Sequence, residues 1–237
     1  MNQKQILTIA LAMILSSIIL GSYFYQARKP VNIIRVVGYA SGEYDSDILK
    51  WVITLAAQTT GNNPIQAIQS LNRDINSFRD FLNSRGFDGF TIEIAPSWNW
   101  PTYNRDGIIS GYMYEQKISF TCREIFHFEE IEEYAISLEE LFELGINLRS
   151  SNIEYYISEL PELKIAIIGE ATNDARERAQ EVARTTKTKL GKLINGRVGV
   201  FQITEPLSVE VQSMGIFSTH TRKKQISVTM TGEFELR

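Results

Sequence analysis

From Ile6 to Tyr25 the chain runs twenty residues without a charge, bracketed by Lys4 on one side and Arg28, Lys29 and Pro30 on the other. At about 1.5 Å per residue such a helix reaches roughly 30 Å, the thickness of a bilayer core. Tyr23, Phe24 and Tyr25 fall where the membrane interface would lie. The pattern predicts a transmembrane signal anchor over 6–25, after a short tail at 1–5 and before a juxtamembrane linker at 26–32. A cleaved signal peptide with an apolar region from Ile6 to Leu20 competes with it, although Gly21, Ser22, Tyr23 and Phe24 give no clean small-residue cleavage site. Lys4 against Arg28 and Lys29 leaves the positive-inside count nearly balanced. The usual orientation of such a segment gives a single-pass protein of the inner (cytoplasmic) membrane, with its C-terminal domain in the periplasm or outside the cell.

Beyond residue 32 the rhythm switches between strand and helix. Asn32 to Glu43 is β-rich, and Ile48 to Thr60 reads as a second strand. After Gly61-Asn62-Asn63-Pro64, apolar residues at Ile65, Ile68, Leu71, Ile75, Phe78 and Leu82 fall three and four apart. They predict an amphipathic helix ended by Gly86, with Pro64 in its first turn. In Phe90 to Tyr103, the residues Phe90, Ile92, Ile94, Trp98 and Trp100 share parity, with Pro96 marking a bulge or edge. Asn104 to Gly107 is turn-like, and Ile108 to Cys122 alternates, so the two stretches predict a hairpin. Phe128 to Leu144 reads as one helix with Ile131, Ala135, Leu138 and Phe142 on one face, capped by Gly145. A short strand at Ile153 to Leu160 leads into a long helix from Pro161 to Leu190, ending at Gly191, with Ala175, Ala179, Val182 and Ala183 packing closely. Leu193 to Thr204 and Gln225 to Leu236 close the chain as strands, around a Ser/Gly/Thr loop at Ser213 to Thr221. The order ββαββαβαββ predicts one α+β domain over 33–237, a largely antiparallel sheet with packed helices, preceded by one N-terminal transmembrane helix. The strands VVGYASGEY and ISVTMTGEFEL look alike and are expected to be neighbours.

Composition narrows the function. The chain has 237 residues, 43% hydrophobic and 22% charged, which is globular. Its 24 Lys+Arg against 28 Asp+Glu remove the electrostatic basis for nucleic-acid binding. One cysteine excludes an internal disulfide and a multi-cysteine zinc site. No Walker loop, G-x-G-x-x-G or G-x-S-x-G occurs.

The remaining chemistry is sparse. Cys122 shares parity with Ile118 and Phe120, which marks it as a buried strand residue rather than a nucleophile. His127 and His220 lack partners at metal-ligand spacing. Glu129, Glu130, Glu132, Glu133, Glu139, Glu140 and Glu143 lie between apolar helix positions and read as a solvated face, with a carboxylate-held metal site as the competing reading. No metal, cofactor or catalytic residue is assigned. Trp98 and Trp100, with Tyr103, Tyr112 and Tyr114 across the hairpin, form the candidate binding surface, suited to stacking on a sugar or peptide or to burial between subunits.

Four segments stand out in order: Val36-Val37-Gly38-Tyr39-Ala40-Ser41-Gly42-Glu43, the helix with Leu71-Asn72 leading to Gly86 and the Thr91-to-Ala95 strand, Ile109-Ser110-Gly111-Tyr112, and Ala175-Arg176-Glu177-Arg178-Ala179-Gln180 running to Lys189-Leu190-Gly191-Lys192. In that order they resemble the SIMPL-domain family of bacterial periplasmic and outer-membrane-associated proteins. The resemblance covers residues 33–236. Trp51, Gly169 and a longer loop at Ser213–Thr221 depart from the family pattern. What the resemblance implies is a cell-envelope location, a tendency to form homo-oligomers, ring-like in some relatives, and no catalytic residues. The expectation is a non-catalytic, membrane-anchored envelope protein acting through oligomeric assembly or protein interaction. The alternative is an envelope ligand-binding module using Trp98 and Trp100 for a glycan or peptide.

Overall fold

The computed structural model describes residues 3–27, 32–61, 63–87 and 90–237, with side chains from residue 11 to 25 in the first helix. The elements in chain order are α1 (Gln3–Ala27), β1 (Ile33–Asp45), β2 (Ile48–Thr60), α2 (Pro64–Ser84), β3 (Thr91–Ile94), β4 (Trp98–Tyr103), β5 (Ile109–Cys122), α3 (Phe128–Ser137), α4 (Glu139–Glu143), β6 (Leu148–Tyr156), α5 (Leu160–Thr185), β7 (Leu190–Val198), β8 (Gln202–Thr204), β9 (Ile216–Phe217) and β10 (Lys223–Leu236). The α+β class holds, with two five-stranded sheets rather than one: β1-β10-β8-β9 with β7 also on β10, and β3-β5-β2-β6 with β4 also on β5. The look-alike strands β1 and β10 are indeed neighbours. The chain divides into two compact units, one of residues 1–39, 170–199 and 229–237, the other of 40–169 and 200–228.

The expected transmembrane helix is corrected. Among the described residues, no helix is long and apolar enough to cross a membrane. The side chains described in α1 are those of residues 11–25. Three of them are serines, whose hydroxyls donate back to the carbonyls of Met13 and Ile19. The side chain of Lys4, with Arg28 and Lys29, on which orientation was argued, lies outside the described residues, as does Asn62 of the turn before α2.

The larger unit is built on the β3/β4-β5-β2-β6 sheet. β2 pairs with β5 from Leu49↔Cys122 to Thr60↔Gly111 in unbroken antiparallel register. Period-two alternation therefore carries Leu49, Trp51, Ile53, Leu55 and Ala57 to the same face as Cys122, Phe120, Ile118 and Tyr114. α2 lays Ala67, Leu71, Ile75, Phe78 and Leu82 on that face; of the predicted stripe the last four hold, while Ile65 and Ile68 in the first turns are exposed. Trp51 is wholly buried, edge-on to Phe78 at 5.3 Å between ring centres. Its Nε1 donates to Ser151 Oγ, which donates to the Ala135 carbonyl, so one indole ties β2 to β6 and α3.

Two helix predictions need correction. Phe128 to Leu144 is not continuous. Leu138 adopts φ 55°, which ends α3 and restarts the chain as α4. The break shifts the helical phase, so Leu141 is buried and Phe142 is exposed. The long helix stops at Thr185 rather than Leu190, because Lys187 turns left-handed at φ 57°. The hydroxyl of Thr186 and the amide of Thr188 bond the last carbonyls, and Leu190 and Gly191 join β7.

In the smaller unit, Ala171, Ala175, Ala179 and Ala183 make a buried ladder along α5. A Cβ on Gly38 of β1 would lie 2.1 Å from the Ala171 carbonyl oxygen, so only glycine lets strand and helix meet this closely. The Tyr39 amide donates to Asp174 of the same helix at 2.7 Å. That bond and the Arg178 side chain hold the Asp174 carboxyl below its ordinary range.

Candidate functional site

β3 and β4 both pair with β5, but in different registers. Ile94 lies opposite Ile118, whereas Trp98 lies opposite Glu115: four residues advance on one side and three on the other. The extra residue falls in the Ala95–Ser97 break around Pro96, which has no N–H to give the ladder. Gln116 Nε2 secures the break by donating to the Ala95 carbonyl. A one-residue offset exchanges the two faces of a strand. Ile92 stays with Phe120 on the core face, while Trp98 and Trp100 turn outward with Glu115 and Met113.

The proposed aromatic group is thus divided by the sheet. Trp98 and Trp100 pack ring to ring at 4.7 Å, tilted by 37°, with Trp98 60% exposed. Tyr114 is buried on the opposite face and Tyr112 packs beside it against the core. Tyr103, at the end of β4, is exposed. The hairpin that carries them is closed by Asn104, whose Oδ1 accepts from the amides of Asp106 and Ile108. Gly111 sits where a Cβ would lie 1.9 Å from the Thr59 carbonyl oxygen, the close backbone approach that makes this position a glycine.

Two residues not singled out in the sequence join the tryptophans. Arg149 of β6 reaches across the sheet, its guanidinium carbon 5.4 Å from the Trp100 ring centre and its Nε 2.6 Å from Glu115 Oε1. Glu115 is buried, and this close ionic contact is not an aligned hydrogen bond. The result is an indole pair with a half-exposed cation at one end, suited to an electron-rich or hydroxyl-bearing ring, or to a peptide side chain. Nothing in the local pattern marks Arg149, because it falls at the register shift between β2 and β6.

Five of the other candidates have structural partners. Cys122 is buried, its Sγ 3.7 Å from the Glu124 carbonyl oxygen, and burial pushes its pKa up. His127 lies 3.5 Å from Glu124 and 3.8 Å from Glu130, edge-on to Phe87. Glu132 accepts from Tyr155, Glu130 accepts from Tyr134, and Glu140 pairs with Arg85. No group of three or more His, Cys, Asp or Glu side chains among the described residues is arranged to hold a metal ion. A cleft of about 800 Å³ between α2 and α4 is lined by Asp80, Phe81, Arg85, Glu140 and Glu143 among others. The Arg85–Glu140 pair lies across it.

One exposed feature lies outside the sequence-predicted candidates. Between β8 and β9, Leu207, Val209 and Val211 alternate with Ser208, Glu210 and Gln212, and these three with Met214 are 78% to 93% exposed. The period-two alternation from Leu207 to Gln212 is the signal that marks it in the sequence.

A family model described as "SIMPL: Protein of unknown function (DUF541)" matches residues 34–234. No curated protein matches the chain.

Proposed function

Because the chain belongs to the SIMPL family, we propose that it acts by oligomeric assembly or protein interaction rather than by catalysis. The observation that carries this reading is the row of large apolar side chains left in water between β8 and β9. A monomer rarely keeps such side chains together and solvent-facing, and contiguous apolar exposure marks contact surfaces. An envelope location is part of the proposal, with the uncharged run from Ile6 to Tyr25 acting as an export signal. Native mass spectrometry of the purified full chain tests the assembly: a discrete multiple of the 27.0 kDa subunit supports it, and a single subunit at every concentration overturns it.

A second reading rests on the outward tryptophan pair. Trp98 and Trp100, with Arg149 at 5.4 Å from the second ring, form a surface on which a glycan or peptide would stack. Trp98→Ala with Trp100→Ala is expected to lower retention on immobilised glycan or peptide arrays at least about tenfold, at unchanged subunit number. A change in subunit number with unchanged retention would instead assign the pair to a subunit interface.

A further inference from the structure

The segment of residues 205–215 is held at both ends and free in the middle. At its base the Ser208 amide donates to the Glu205 carbonyl at 3.2 Å, and Leu207 turns the chain outward at φ 64°. At its return the side-chain amide of buried Gln202 clasps Gln212 in both directions, Nε2 to its carbonyl at 2.9 Å and Oε1 from its N–H at 3.4 Å. The Gly215 amide then bonds the Gln212 carbonyl. Between these ties, Val209 and Val211 make no main-chain hydrogen bond among the described residues. The segment is therefore a strand in pattern, apolar on one side and polar on the other, without a sheet to belong to.

Its charge indicates what it fits. Glu205 and Glu210 are its only charged residues. Within the chain, β7 offers the complementary surface. β7 pairs with β10 from Met230↔Val198 to Leu236↔Leu190, and among the described residues no strand lies on its other edge. Its charged residues are Lys192 and Arg197, and Leu193, Ile194 and Val198 are 41% to 46% exposed. The neighbouring acids of β10, Glu233 and Glu235, are paired with Arg35 and Arg237, so the edge presents net positive charge. An acidic, apolar, unpaired strand and a basic, apolar, unpaired edge meet the requirements of strand addition.

We propose that the 205–215 arm of one copy adds as a strand to the free edge of β7 in a second copy. This rests on the assembly reading and supplies its contact. Arm and edge are different parts of the chain, so the contact closes the assembly either as a reciprocal two-fold pair or as a head-to-tail ring of subunits.

The test uses the full chain with Cys122→Ala, which removes its only thiol. Val209→Cys and Ile194→Cys are made separately, given tags of different size, mixed, and treated with a short bis-maleimide. A product joining the two variants, in roughly tenfold excess over either homodimer, is expected. Dominant Val209→Cys homodimer would mean that arm meets arm, and would overturn the proposal. In parallel, Val209→Asp with Val211→Asp, at positions already in water, is expected to reduce the assembly to single subunits with an unchanged circular dichroism spectrum. If the parent chain is oligomeric and this variant keeps the same size, the arm proposal fails while the assembly reading stands. If the parent chain is itself a monomer, both fail. Glu210→Lys is expected to weaken association, and adding Arg197→Glu to restore it.

Discussion

At Lys224 the chain buries an ammonium group without a hydrogen-bond partner. The Tyr155 ring lies 5.9 Å away, and burial lowers the lysine from 10.5 to about 8, with Glu205 opposing the shift. Between those two pH values the unfolded chain holds a proton that the folded chain has released, so stability rises with pH across that window. Below about 8 the folded protein must carry the buried charge. Lys224→Met is therefore expected to be more stable than the parent at pH 7, by on the order of 1–3 kcal/mol, with the gain shrinking toward pH 10. Urea unfolding at the two pH values measures it, and a variant less stable at pH 7 would show that the ammonium is stabilising. Residue roles of this kind were only partly legible. Cys122 was, because its strand parity matched Ile118 and Phe120. The outward turn of Trp98 was not, because parity carries across Pro96 only if no residue is inserted, and one is.

At the scale of elements, the long periodic stretches were the legible ones. β2 matches its predicted limits, and α2 begins with Pro64 in its first turn beneath an Asn63 cap. The two helix ends that differ from the expectation, at Leu138 and Lys187, are non-glycine residues in left-handed conformation, which local propensity argues against. The contact between β1 and α5 gives the sharpest element-level prediction. A methyl group at residue 38 would stand 2.5 Å from the Ala175 amide nitrogen and 2.8 Å from its Cβ, with backbone on one side that cannot rotate away. Gly38→Ala is expected to cost about 3 kcal/mol, seen as a lower urea midpoint. A loss below about 0.5 kcal/mol would mean that strand and helix separate freely.

For the whole molecule, the adjacency of β1 and β10 and family membership followed from sequence, whereas the predicted order of elements held only in outline: 90–103, 128–144 and 193–204 each split in two, and β9 falls in the stretch read as a loop. The division into two sheets did not, because β1, α5 and β10 each run through both compact units and alternation alone does not say where a strand changes partners. Nor does the uncharged run at 6–25 make a membrane span: among the described residues no helix is long and apolar enough to cross a membrane. The central claim is that the exposed apolar arm exists to be covered by another copy. Its most direct test is the absolute mass of the full chain by light scattering after gel filtration. A discrete oligomer of fixed subunit number is predicted. A monodisperse monomer at every concentration would contradict the claim and leave the tryptophan pair as the surface to examine.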